Sequence, residues 1–227
     1  MWIAGPARRV PASGRPHGLR SGFFLQRGMR VGLFGGSFNP AHDGHAHVAE
    51  TALMRLRLDK VIWLVSPQNP LKNRADSASL EDRLASARAQ ARGPHMIVSD
   101  VEKRAGSYYT IDILRILKAR HPGVKFVWIM GGDNLNSFHS WRGWVNIMRE
   151  MPVAVIARPG TELKSRFSPA ARRFDFARLS SSEAPTLADR KPPAWVYLRA
   201  PLNFTSSTAL RARLVVGPAK RPLKSPR

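Results

Sequence analysis

Residues 32–50 read GLFGGSFNPAHDGHAHVAE, and this stretch decides how the rest of the chain is read. Val31, Leu33 and Phe34 supply a short apolar strand, Gly35 and Gly36 end it, and Pro40 fits a turn. From about His45 the period changes: Val48, Ala52 and Leu56 recur every four residues, as on one face of a helix. The order is strand, tight turn, helix start. It places His42 and His45 at or just before a first helical turn, where backbone N–H groups lack partners and the helix dipole is positive. Such a place holds phosphate. Taken alone, the same residues have plainer explanations. A Gly-Gly pair after a strand is commonly only a turn. Two histidines three apart, in a chain with no cysteine, are a weak metal signal. Asp43 does not strengthen it, because neighbouring helical positions do not share a face.

Beyond this stretch, strands and helices alternate. Lys60 to Val65, Met96 to Val98, Val124 to Met130, Val153 to Ala157 and Trp195 to Leu198 read as strands. Leu80 to Arg92, Thr110 to Arg120, Trp141 to Glu150 and Ser206 to Leu214 read as helices, with Ser79 as the N-cap of the first. Residues 161–193 show no clear period. This alternation predicts an α/β fold: a Rossmann-like, doubly wound parallel sheet in a single domain. Ligands of such sheets sit outside the carboxyl ends of the strands. Five strand ends carry suitable groups: Gly35-Gly36, Pro67 to Lys72, Gly131-Gly132-Asp133, Arg158, and Ser206-Ser207-Thr208 at a helix start. Their agreement says more than any one of them.

The 227 residues carry 37 Lys or Arg against 15 Asp or Glu, a net charge of +22, which points to polyanionic partners. Half of that charge lies at the ends: five Arg and no acid in residues 1–29, six basic residues and no acid in 211–227. Residues 1–28 are Gly-, Pro- and Arg-rich without periodicity and are expected to form a disordered basic extension. Met29 directly precedes the first strand and is an alternative start. Residues 29–214 are expected to be the folded domain and 215–227 a disordered basic tail. No apolar run approaches the roughly 20 residues of a membrane helix. No helix-turn-helix, zinc or aromatic RNA-binding signature accompanies the charge. A basic nucleic-acid-binding protein is therefore the second class of function considered, resting on the tails alone.

The residues resemble a known family. His42-Asp43-Gly44-His45 is similar to the first signature of the HxGH nucleotidyltransferases, and TSSTALR (205–211) to their second, the ISSTxxR loop and helix. Three further stretches narrow the resemblance to the bacterial nicotinate-nucleotide adenylyltransferases: GSYYTIDIL (106–114), IMGGDNLNSFHSW (129–141) and VIARPG (155–160). Thr205 replaces the usual Ile, and the chain after Leu214 departs from the family's C-terminal helix.

The resemblance implies adenylyl transfer from ATP to nicotinate mononucleotide, giving nicotinate adenine dinucleotide and pyrophosphate. It implies MgATP as the nucleotide substrate, a cytoplasmic location, and no membrane or specific nucleic-acid partner. Nicotinamide mononucleotide or another phosphate remains an alternative acceptor. The nucleophile is an anionic phosphate, so catalysis reduces to positioning and charge stabilisation. Under this reading His42, His45 and Arg211 are catalytic. ATP would be bound by Gly35, Gly36, Ser37, Phe38, Lys72, Gly131, Asp133, Arg158, Ser206, Ser207 and Thr208. The glycines would let the backbone approach phosphate, and Asp133 would accept the ribose hydroxyls. Tyr109, Thr110 and Trp141 would hold the nicotinate nucleotide, with Trp141 stacked on the ring. Outside the resemblance, Lys72 and Arg158 read equally well as solvated cations, Asp133 as an N-cap and Trp141 as core.

Overall fold

In a computed structural model, residues 22–67, 78–157, 165 and 167–199 are described. A sheet of seven parallel strands runs through them: β1 (Arg30–Gly36), β2 (Lys60–Val65), β3 (Met96–Ser99), β4 (Lys125–Gly131), β5 (Val153–Ile156), β6 (Arg178–Leu179) and β7 (Trp195–Leu198). Their order is β3-β2-β1-β4-β5-β7-β6. The chain winds outward from β1 to β3, returns to lay β4 and then β5 on the other side of β1, sets β6 at that edge, and inserts β7 between β5 and β6. The reversal between β1 and β4 is the topological switch point of a doubly wound sheet.

The alternation of side chains across the strands builds two cores. Val31 and Leu33, with Ile62, Leu64, Trp128 and Met130, face one layer that includes α4 (Thr110–Arg120) and α6 (Trp144–Glu150). Phe34, with Val61, Trp63, Val65, Val127 and Ile129, faces the other, formed by α1 (Asp43–Arg55), α2 (Leu80–Gln90) and a 3-10 segment at Ser181–Asp189. Central strands buried on both faces read as continuous apolar runs, and KVIWLV and KFVWIMG do.

The expected elements hold within a residue or two, with three corrections. The helix expected from Trp141 begins at Trp144: Phe138–Ser140 is a separate 3-10 turn, and Gly143 enters the left-handed region at φ +68 to start α6. Two short helices, α3 (Val101–Ala105) and α5 (Gly132–Ser137), follow β3 and β4 and are too brief to show a period. The unreadable stretch 161–193 contains the helix Pro169–Arg173, the edge strand β6 and the 3-10 segment, whose capping box joins Ser180 and Glu183. At the other end of the chain, contact with the domain starts before residue 29. Leu25 is buried, Phe23 stacks on His121 with ring centroids 5.6 Å apart, and Gly28 N donates to Gly123 O. The helix expected at 206–214 lies outside the described residues.

Candidate active site

β1 and β4 lie side by side, Phe34 opposite Ile129, and release Gly36 and Gly131 at the same end of the sheet. From Gly36 the chain turns through Ser37–Ala41 into α1. His42 is the N-cap, in extended conformation, and its Nδ1 accepts the Gly44 N–H at 3.1 Å. His45 answers: its Nδ1 accepts the His42 N–H at 3.3 Å. This is a capping box made from two imidazoles in place of the usual hydroxyl and carboxylate. It has a chemical consequence. A ring nitrogen that accepts an N–H carries no proton, so in each neutral ring the proton sits on Nε2. The backbone thereby selects the tautomer. The rings lie 3.9 Å apart between centroids, His42 buried and His45 half-buried.

Aromatic side chains set the tilt of His45. Phe38 meets it edge-on with centroids 5.0 Å apart, and Phe34 and Trp63 close the box behind at 6.2 and 6.5 Å. Phe38 holds its backbone at φ +45, in the left-handed region that a bulky residue occupies only under constraint. Its ring is 1% exposed, so the side chain packs in the core against His45, and a nucleotide contact at this residue would fall to its backbone. The two glycines also adjoin buried rings. A Cβ on Gly35 would run into the indole of Trp128, and one on Gly36 would lie 3.0–3.2 Å from the Phe38 ring. The missing Cβ atoms make room for buried rings; any approach to phosphate is left to the backbone N–H groups.

At the end of β4, Gly131 is the N-cap of α5 and makes no side-chain cap. Asp133 is therefore the second residue of the helix rather than its cap, with an exposed carboxylate beside the switch point. On the far side of β4 the expected nicotinate-site residues come together. Tyr109 and Thr110 open α4, and the Arg142 guanidinium lies 4.2 Å from the centre of the Tyr109 ring. Trp141, adjacent to Arg142, is half-buried and meets Trp128 and Phe138 edge-on at 6.3 and 5.3 Å. Lys72, Arg158, Ser206, Ser207, Thr208 and Arg211 lie outside the described residues.

Three residues escaped the sequence reading. Arg83, 4% exposed, donates from Nη1 to Ser37 O at 2.9 Å and to Ser66 O, from Nη2 to Pro67 O at 2.7 Å, and from Nε to Ala78 O at 3.1 Å. A signal was present, since Arg83 interrupts the apolar stripe of Leu80, Leu84 and Ala87 on α2. Glu102, on α3, is almost wholly buried. Loss of water pushes its carboxyl up to about 7, against the opposing pull of a hydrogen bond with Ser66 and the charge of Arg83. The third is Arg142. Neither Glu102 nor Arg142 breaks a visible pattern, so nothing in the sequence flags them. Among the described residues, no group of three or more His, Asp or Glu side chains is placed to hold a metal ion, and no helix is long and apolar enough to cross a membrane.

Comparison with known proteins supplies the context for this geometry. A model of the cytidylyltransferase-like family matches residues 33–213. A protein of Caulobacter sp. (strain K31) named "probable nicotinate-nucleotide adenylyltransferase" is 69% identical over 189 residues, 83% of this chain and 100% of the relative. A protein of the same name from Methylorubrum extorquens is 54% identical over 185 residues, 82% of this chain and 100% of the relative. Among solved structures, the Plasmodium falciparum nicotinic acid mononucleotide adenylyltransferase complexed with NaAD superposes with a TM-score of 0.62 at 16% identity, covering 81% of this chain and 83% of that one. At that identity the likeness speaks for the fold.

Proposed function

This chain belongs to the nicotinate-nucleotide adenylyltransferase family, and on that premise we propose that it transfers the adenylyl group of ATP to nicotinate mononucleotide, a step of NAD biosynthesis. A phosphate oxygen of the mononucleotide attacks the α-phosphorus of MgATP. A new P–O–P bond forms, the bond from the α-phosphorus to its bridging oxygen breaks, and pyrophosphate leaves. No proton has to move first, so the protein needs no general base. Its work is to align the two phosphates and to meet the charge that builds on the oxygens around phosphorus.

The observation that carries this reading is the imidazole capping box. It puts two Nε2–H donors with assigned tautomers at the N-terminus of α1, next to the β1–β4 switch point. His42 and His45 would donate to the triphosphate, and their reciprocal backbone bonds spare them reorganisation when it arrives. Asp133 would accept the ribose hydroxyls. Tyr109, Thr110 and Trp141 would take the nicotinate ring and its carboxylate, with Arg142 beside them. Lys72, Arg158, Ser206, Ser207, Thr208 and Arg211 would supply the remaining donors and cations, as the family resemblance implies. We place the reaction in the cytoplasm and take 29–214 as the catalytic unit, with the basic ends outside the chemistry.

The test is pyrophosphate release from MgATP with nicotinate mononucleotide, beside nicotinamide mononucleotide and beside His45→Ala. Release that prefers the nicotinate form and drops about a hundredfold or more in the variant is expected, the loss typical of removing one preorganised donor. Equal release with both acceptors would reject the substrate assignment, and an unimpaired His45→Ala would reject the site.

A further inference from the structure

Arg83 lies behind the site and touches none of its expected ligand-binding side chains, yet it is bonded to two strand ends and a helix start at once. Four of its hydrogen bonds reach backbone carbonyls: Ser37 after β1, Ser66 and Pro67 after β2, and Ala78 just before α2. Two further bonds join the same partners. Asn39 Oδ1 accepts the Ala78 N–H at 3.2 Å, and Ser86 Oγ, one turn beyond Arg83, accepts the Ala41 N–H at 3.2 Å. The whole turn from Ser37 to Ala41 is thus laced to the start of α2. Within that turn sits Phe38, strained at φ +45, with its ring against His45. Strain of this kind lasts only where the surroundings over-determine it.

We propose that Arg83 is a positioning residue for adenylyl transfer: by clamping the Ser37 carbonyl to the end of β2 and the start of α2, it holds the strained Phe38 turn and, through the Phe38 ring, the orientation of the His45 imidazole. A lysine cannot replace Arg83. Its ammonium is a point donor, whereas the carbonyls are met by Nε, Nη1 and Nη2, three corners of a rigid plane.

The proposal rests on the adenylyl-transfer reading, and its test separates the two. In Arg83→Lys, kcat for pyrophosphate release from MgATP and nicotinate mononucleotide should fall tenfold or more. The His42 and His45 imidazole nitrogen signals, read by long-range proton–nitrogen correlation, should move from the single Nε2–H pattern of the parent. Asp189→Asn serves as the control for a polar substitution away from the site. Asp189 joins Arg30 and Lys125 at the opposite ends of β1 and β4, at 2.7 and 2.6 Å, and its variant should keep the parental kcat. Arg83→Gln, which fills part of the space and keeps two donors, gives a second variant if the lysine form is poorly folded. Parental kcat and unchanged imidazole signals in folded Arg83→Lys or Arg83→Gln would overturn the proposal. So would a rate loss that Asp189→Asn reproduces. A parent protein without turnover would reject the function while leaving the imidazole spectra to judge the clamp.

Discussion

Replacing Gly35 by alanine tests the claim that this glycine serves the core. The added Cβ would overlap Cη2 of Trp128 and lie 3.0 and 3.2 Å from its Cζ2 and Cζ3, well inside ordinary contact. Trp128 is 1% exposed, on the strand next to β1, and its own edge is braced by Trp141, so the indole cannot swing aside. Overpacking of this kind costs about 1–3 kcal/mol, and a rigid ring places it towards the upper end. Against that, alanine in place of glycine recovers about 0.5–1 kcal/mol of chain entropy. The expected net loss is about 2 kcal/mol. With a urea m-value of about 2–3 kcal/mol/M, the unfolding midpoint should fall by roughly 0.7–1 M, with m unchanged. A double-mutant cycle sharpens the test. Trp128→Phe removes the very atoms that collide, so Gly35→Ala should cost markedly less in that background. A midpoint shift below about 0.2 M, or strict additivity with Trp128→Phe, would refute the reasoning and restore the glycine to a role in ligand approach alone.

Three further outcomes follow from the same structure. His42→Asn supplies another good N-cap, so its melting temperature should stay within about 2 °C of the parent while pyrophosphate release falls about a hundredfold; a large loss of stability would show that the imidazole was needed for folding. Glu102 holds a folded value of about 7 against an ordinary 4.5, so between those values the folded state binds the extra proton and stability falls as pH rises, by about 3 kcal/mol over the window. Glu102→Gln should remove that slope in urea titrations from pH 5 to 8; parallel curves for parent and variant would contradict the assignment. Asp189 behaves oppositely: Lys125 and Arg30 hold its carboxylate below the usual range, so its contribution is present above the ordinary carboxylate value and fades as pH falls through the lowered one. The group is partly solvated, and Asp189→Asn should cost less than about 1 kcal/mol at pH 7, and less again as pH falls through the lowered carboxylate value, measured by the same titration.

Local pattern was enough to settle the fold class, a doubly wound parallel sheet. Apolar runs such as KVIWLV suit strands buried on both faces, and GGSFNPAHDGH suits a strand leaving the sheet for a helix start. These are statements of period, turn chemistry and capping, which neighbouring residues suffice to make. They set His42, His45 and Asp133 just beyond strand ends, whereas Tyr109, Thr110 and Trp141 entered only through the family resemblance. Why particular residues stand there is a matter of contacts between distant segments. Gly35 is small because of Trp128, from another strand, and the two histidines fix each other's tautomer through a backbone geometry no spacing rule reports. Phe38 reads from the sequence only as part of a turn, and its ring is buried against His45. Arg83 left a mark in the sequence, a charge on an apolar stripe, but its meaning depends on carbonyls drawn from three separate segments. Hydrogen bonds to backbone carbonyls carry no residue identity, since every residue has one, so the partners of a buried guanidinium become visible only when the chain has folded around it.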